Sequence, residues 1–177
     1  MSSQIFIDKS RYYLATEYPE KIRLATASLS HDDVWRRANA HSNSIGNLLL
    51  HLAGNVRHWI VSGIGGAPST RDRAAEFSAT DGAEIGELLA SLDSSVGDAD
   101  KVISRLGESD LTRCCTIQGR ETTVMEAIYH VVEHFSMHTG QIIMLAKSYS
   151  PGTVQFYEDA GGKAVPLWGG AEGMRRP

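Results

Sequence analysis

From residue 5 to residue 148 apolar positions recur at helical spacing in four segments, and no run alternates apolar and polar residues for the length of a strand. The first segment runs from Ile5 to Leu29. Proline removes a backbone donor and crowds the preceding turn, so Pro19 is expected to bend this segment or break it in two. The second opens at Asn43 or Ser44, both good N-cap residues, carries Ile45, Leu48, Leu49, Leu52, Val56, Trp59 and Ile60, and ends at Gly63 and Gly65-Gly66. The third is expected to start near Asp81, with Glu84 three residues on, and its stripe runs from Ile85 to Leu106 before Gly107. The fourth has the clearest start, Thr123-x-x-Glu126, and continues to about Ser148, ahead of Pro151-Gly152.

Four amphipathic helices each need a partner for the apolar stripe, and mutual burial in one bundle satisfies all four. The fold expected is therefore all-α, a single domain over residues 1–177 with a core at 5–148. The segment from Gly63 to Thr80 is longer than a tight antiparallel turn needs, and can cross the bundle so that the second and third helices run parallel. Cys114 to Glu121 reads as a short extended turn around Gly119. The Gly/Pro-rich tail, 149–177, includes Phe156, Tyr157, Leu167 and Trp168, which suits a tail that packs on the bundle.

Composition narrows the function classes. At 42 % hydrophobic and 21 % charged, 177 residues with a net charge of −4 suit one globular domain. Without a Lys/Arg cluster beyond the pairs Arg36-Arg37 and Arg175-Arg176, neither a nucleic-acid partner nor a membrane surface is expected. Adjacent Cys114 and Cys115 are badly placed for a structural disulfide, and the opening residues show no secretory signal pattern, so a cytoplasmic protein is expected.

Seven histidines stand out, three of them in one nine-residue stretch. At about 100° per residue, His134 and His138 fall inside the fourth apolar stripe and His130 at its edge. Residues four apart are neighbours on a helix, so His134 and His138 can ligate one metal ion. On the second helix His51 borders the stripe, with Asn55 one turn on and His58 beyond it. Three histidines leaving a coordination position open form a known catalytic metal arrangement. A histidine on an apolar stripe is also commonly a hydrogen-bonded core residue, and for His51 taken alone the spacing favours that alternative. His31 and His41 read as exposed loop residues. Asn55 can orient a ligand or bond a neighbouring helix. Gln141 shares the flank of His130 as polar lining, Glu133 projects away from the stripe, and Arg57 and Arg120 are surface arginines that can also meet an anion. Cys114 and Cys115 belong to no recognised motif.

Two stretches, Asn43-Ser44-Ile45-Gly46-Asn47-Leu48-Leu49-Leu50-His51-Leu52-Ala53-Gly54-Asn55 and His130-Val131-Val132-Glu133-His134-Phe135-Ser136-Met137-His138-Thr139-Gly140-Gln141-Ile142, together resemble the DinB/YfiT-like superfamily of metalloenzymes, named for a bacterial damage-inducible protein. The resemblance implies a four-helix bundle of up-down-down-up topology and a divalent metal, zinc or nickel foremost, on His51, His134 and His138. It leaves His130 as a pocket residue, beside the candidates Asn55, His58 and Gln141 that the helix positions offer, and implies a homodimer acting on a small molecule. Members include S-transferases and isomerases that use a low-molecular-weight thiol such as bacillithiol or mycothiol. The function expected is thus a metal-dependent transfer in which the metal favours the thiolate of such a thiol, which attacks a small electrophile. Two alternatives stand beside it: a hydrolase in which the metal activates water, and a non-catalytic, stress-related metal-binding protein.

Overall fold

The computed structural model describes residues 2–150 and 154–168. The Pro151-Gly152 stop signal and the Arg175-Arg176 pair lie outside the described residues.

Helix α1 (Ser2–Tyr12) passes through a wide π turn, Tyr13–Glu17, directly into α2 (Tyr18–Thr26). Pro19 therefore does not break the first segment. The π turn moves the bonding register by one residue, the Tyr18 N–H donating to the Tyr13 carbonyl, and Pro19 falls in the first turn of α2, where its missing donor is not required. A short α3 (His31–Trp35) leads to α4 (Ile45–Val56), which widens into a second π segment, Arg57–Ile64. The α4 start is locally encoded: the Ser44 hydroxyl accepts from the Asn47 N–H, and the Asn47 side chain accepts from the Ser44 N–H, each at 3.1 Å. Next come α5 (Arg73–Ser78), α6 (Ile85–Ile103) and α7 (Glu108–Leu111). The third helix starts at Ile85 rather than at Asp81, because the Glu87 carboxylate accepts from the Glu84 N–H at 3.0 Å while Asp81 is engaged by His31.

Strands β1 (Cys114–Ile117) and β2 (Arg120–Thr123) form the expected extended turn as an antiparallel hairpin. Gln118 and Gly119 both have positive φ, as a tight two-residue hairpin turn needs. Strand β2 feeds α8 (Val124–Tyr149), capped by Thr123 and Glu126 as the sequence predicts. In the tail, β3 (Tyr157–Asp159) pairs with β4 (Ala164–Pro166), and Trp168 is 3 % exposed under Lys21, whose Nζ lies 5.2 Å from the indole centroid.

The long helices assemble as a helical bundle: α4 packs on α6 and α8, and α2 on α8. Their inward residues, among them Ile22, Leu49, Leu52, Leu92, Ile128, Val131, Phe135 and Ile142, make one apolar core. Each such side chain fully buried contributes about 1.5–3 kcal/mol relative to exposure, which outweighs the partly exposed ion pairs between helices, Arg11–Asp100 at 2.7 Å and Arg57–Asp98 at 3.2 Å, worth about 0–1 kcal/mol each. Among the described residues no helix is long and apolar enough to cross a membrane.

Candidate metal centre

Helices α4 and α8 bring three of the histidines together. One ring nitrogen from each of His51, His134 and His138 lies within 4.8 Å of the other two, with His51 Nε2 and His134 Nε2 2.9 Å apart. His51 and His138 are buried and His134 is half-buried, so His134 is the member of the three most exposed to solvent. Burial, and then the neighbouring imidazoles His138, His51 and His130, pulls the His134 pKa down to about 3; burial also lowers His138 and His130. At neutral pH these three rings are uncharged, the form in which imidazole is a ligand.

The outer ring nitrogens of two of these histidines are held in place. Glu76 on α5 accepts from His51 Nδ1 at 2.8 Å, and Gln141 Oε1 accepts from His138 Nδ1 at 2.7 Å. Burial pushes the Glu76 carboxyl up, but bonds from Arg71 and His51 more than reverse this and hold it below the usual range, so Glu76 is an ionised acceptor. Both rings then carry their proton on Nδ1 and leave Nε2 bare toward the cluster, the tautomer that metal-binding histidines use. Around a tetrahedral ion with nitrogen ligands at 2.0–2.1 Å the donors stand about 3.3 Å apart, a spacing that the observed range of 2.9 to 4.8 Å spans. The three histidines can hold one divalent ion.

Sequence reasoning missed the support for His51. Arg71 grips Glu76 through two parallel bonds, Nε to Oε1 at 2.6 Å and Nη2 to Oε2 at 2.8 Å, and the side chains are 8 % and 9 % exposed. The segment 63–80 is thus structured where it meets the site. Asp72 caps α5 by accepting from the Ala75 N–H. Asn47 on α4 donates to the Glu76 and Ala79 carbonyls, which straps the segment onto α4, and Arg37, from the loop before α4, donates to the Phe77 and Ala79 carbonyls. Gly54 faces Glu76 so closely that a Cβ there would collide with the carboxylate. The available signal was an Asp72 cap with two oppositely charged residues five apart, Arg71 and Glu76, in a segment otherwise read as loop.

The remaining candidates are placed as follows. Asn55 is 4 % exposed, one turn beyond His51. His130 lies against Trp59, ring centroids 4.4 Å apart, and stacks on His134 at 5.4 Å. His58 is outside the cluster; its Nδ1 pairs with the Ser69 hydroxyl at 2.7 Å beside a cavity of about 180 Å³ that Arg57, Arg71 and Glu76 help to line. Gln141 and exposed His41 line a second cavity, of about 370 Å³, with Leu48 and Met144. His31 is not the exposed loop residue expected: it is half-buried, its Nε2 2.7 Å from Asp81 and its Nδ1 3.1 Å from Glu84, because α3 packs near the start of α6. Glu133 and Arg120 are exposed, and Arg57 pairs with Asp98. Cys114 is exposed; Cys115 is half-buried, and burial pushes its thiol above the usual value.

A family model described as "Protein of unknown function (DUF1572)" matches residues 2–156. No curated protein matches the chain.

Proposed function

The chain belongs to the DUF1572 family, which is DinB-like, and on that premise we propose that it binds one divalent metal ion, zinc or nickel, on His51, His134 and His138 and acts as a metal-dependent transferase. The second substrate is a low-molecular-weight thiol such as bacillithiol or mycothiol, and the acceptor is a small electrophile. The observation that carries the metal is the convergence of three histidine nitrogens, two of them with the opposite ring nitrogen tied to an oxygen acceptor. When bound, the ion supplies Lewis acidity, which favours the thiolate over the thiol at neutral pH.

The chain's own residues do the rest. Glu76 and Gln141 fix two imidazoles, His134 is the most exposed of the three ligands, and Trp59 and His130 form an aromatic wall beside it. In the transfer a carbon–sulfur bond forms, the bond to the leaving group breaks with its electron pair, and the thiol proton goes to solvent. The thiol and the electrophile rest on the resemblance to DinB/YfiT-like proteins. The same reading takes the chain as one domain and a homodimer, with the long helices ordered up-down-down-up. That order is supported by Trp35 reaching Ala83 at one end of α4 and α6, by Arg57 meeting Asp98 at the other, and by Arg11 meeting Asp100 late in α6.

Three measurements test it. Metal analysis of purified protein should give one zinc or nickel per chain, lost in His134→Ala and His138→Ala; unchanged stoichiometry in both variants rules out the site. Consumption of 1-chloro-2,4-dinitrobenzene should require both metal and added thiol. Turnover of ester or amide substrates without thiol would replace the transferase with a hydrolase, and inactivity on both panels would leave a metal-binding protein without turnover. Light scattering at micromolar concentration should return twice the chain mass of 19.3 kDa.

A further inference from the structure

Asn55 is 4 % exposed, yet its Oδ1 has no hydrogen-bond partner among the described residues. A buried acceptor left unmade is destabilising, and such groups in folded proteins normally find a partner. Its position indicates where that partner enters. Asn55 follows His51 by four residues on α4 and precedes Trp59, early in the π segment that continues α4, by four, so the three lie near one another along the same side. His51 meets His134, and Trp59 meets His130, so Asn55 sits opposite the gap between His134 and His130 on α8. His134 is the member of the histidine cluster most exposed to solvent.

We propose that Asn55 is a positioning residue of the histidine cluster, whose Oδ1 accepts a hydrogen bond from an O–H or N–H on the group that enters beside His51 and His134. The entering group is thereby restricted to ligands with a polar hydrogen next to the metal-seeking atom: a water, or a thiol with an amine or amide N–H close to its sulfur. A simple alkyl thiol offers no such hydrogen and leaves Oδ1 unpaired. The inference rests on the metal reading proposed above.

The test is a competition titration of zinc into the full chain and its Asn55→Leu and Asn55→Asp variants, alongside thermal unfolding of the metal-free proteins. Leucine matches asparagine in size and removes the acceptor, whereas aspartate keeps an oxygen there. Zinc affinity should fall about 10–100-fold in Asn55→Leu, the usual cost of losing a group that orients the inner ligands, and stay at or above wild type in Asn55→Asp. Metal-free Asn55→Leu should unfold no earlier than wild type, since it loses an unpaired buried acceptor. This result supports the proposal with water as the donor. If Asn55→Leu keeps its zinc affinity but the zinc-loaded protein loses a wild-type preference for cysteamine over ethanethiol, the proposal holds with the thiol's N–H as the donor. Unchanged zinc affinity together with unchanged thiol preference overturns it, as does equal loss of zinc affinity in both variants. A wild-type chain that takes up no zinc overturns the metal reading itself, an outcome separate from any that depends on Asn55.

Discussion

Glu76 Oε2 stands 2.8 Å from His51 Nδ1, so a side chain from the segment between the second and third long helices sets the tautomer of a histidine on α4. The carboxylate is itself held by two bonds from Arg71, and all three side chains are buried. The segment is therefore part of the site and not only a connection between helices.

Removing Glu76 should act on metal affinity and on stability in separable ways. Glu76→Gln keeps the volume and an acceptor oxygen but loses the charge, and zinc affinity is expected to fall about 10–100-fold with a modest loss of stability. Glu76→Ala also takes the carboxylate away from the Arg71 guanidinium, leaving it only His51 Nδ1 at 3.1 Å among the described residues, and removing one partner of a buried pair costs about 3–5 kcal/mol. Zinc titration and chemical denaturation of both variants check this.

Gly54→Ala sets two effects against each other. Alanine gains about 1 kcal/mol of helix propensity over glycine, but its Cβ would run into a carboxylate that Arg71 prevents from swinging away. Overpacking at a fixed neighbour costs about 1–3 kcal/mol, so a net loss of stability is expected, with weaker zinc binding because Glu76 is displaced from His51. If the variant is more stable than wild type and binds zinc equally well, the Glu76 carboxylate is not fixed there.

Saturating metal should raise the unfolding temperature. At a free zinc concentration a hundredfold above Kd the stabilisation is about 2.7 kcal/mol, or roughly 5–10 °C for a chain of this size. Calorimetry with and without a chelator measures the shift, which should vanish in His134→Ala and His138→Ala.

His31 links α3 to the start of α6 in a pH-dependent way. Its hydrogen bond to Asp81, with Glu84 adding attraction, raises the imidazole above its usual 6.5, and the same bond lowers Asp81 below its usual 3.8. A raised histidine contributes stability that is fully present below 6.5 and is lost as pH climbs through the folded value. The lowered aspartate contributes above 3.8 and loses its share as pH falls through its own folded value. The difference in unfolding temperature between wild type and His31→Ala should therefore be greatest between about pH 4 and 6.5 and shrink toward pH 8. A difference that grows from pH 6 to 8 would contradict the assignment.

The sequence was most legible where the determinants are local. The caps at Ser44–Asn47 and Thr123–Glu126 are bonds between residues three apart, and the hairpin turn at Gln118-Gly119 follows from two neighbouring backbone conformations. Pro19 does not split its segment, because the rule about proline assumes an α-helical register and the π turn before it changes that register. Asp81 was misread as a helix start for a different reason: its partner, His31, is fifty residues away in the chain.

The same division runs through the site. Spacing alone places His134 and His138 on one face of a helix, because i and i+4 are neighbours wherever that helix packs. Whether His51 joins them depends on α4 lying against α8, and the arrangement of Glu76, Arg71 and Gly54 depends on how segment 63–80 packs on α4. The unpaired oxygen of Asn55 is likewise a product of packing, since a side chain lacks a partner only by virtue of what surrounds it. By itself the sequence determined the helices, most of their ends and two histidines facing one way, all properties of short stretches of chain. The tertiary structure decided which third histidine faces them, which carboxylate orients it and which of the three is most exposed to solvent, because those depend on distances between residues far apart in sequence, set by how the helices bury their apolar faces.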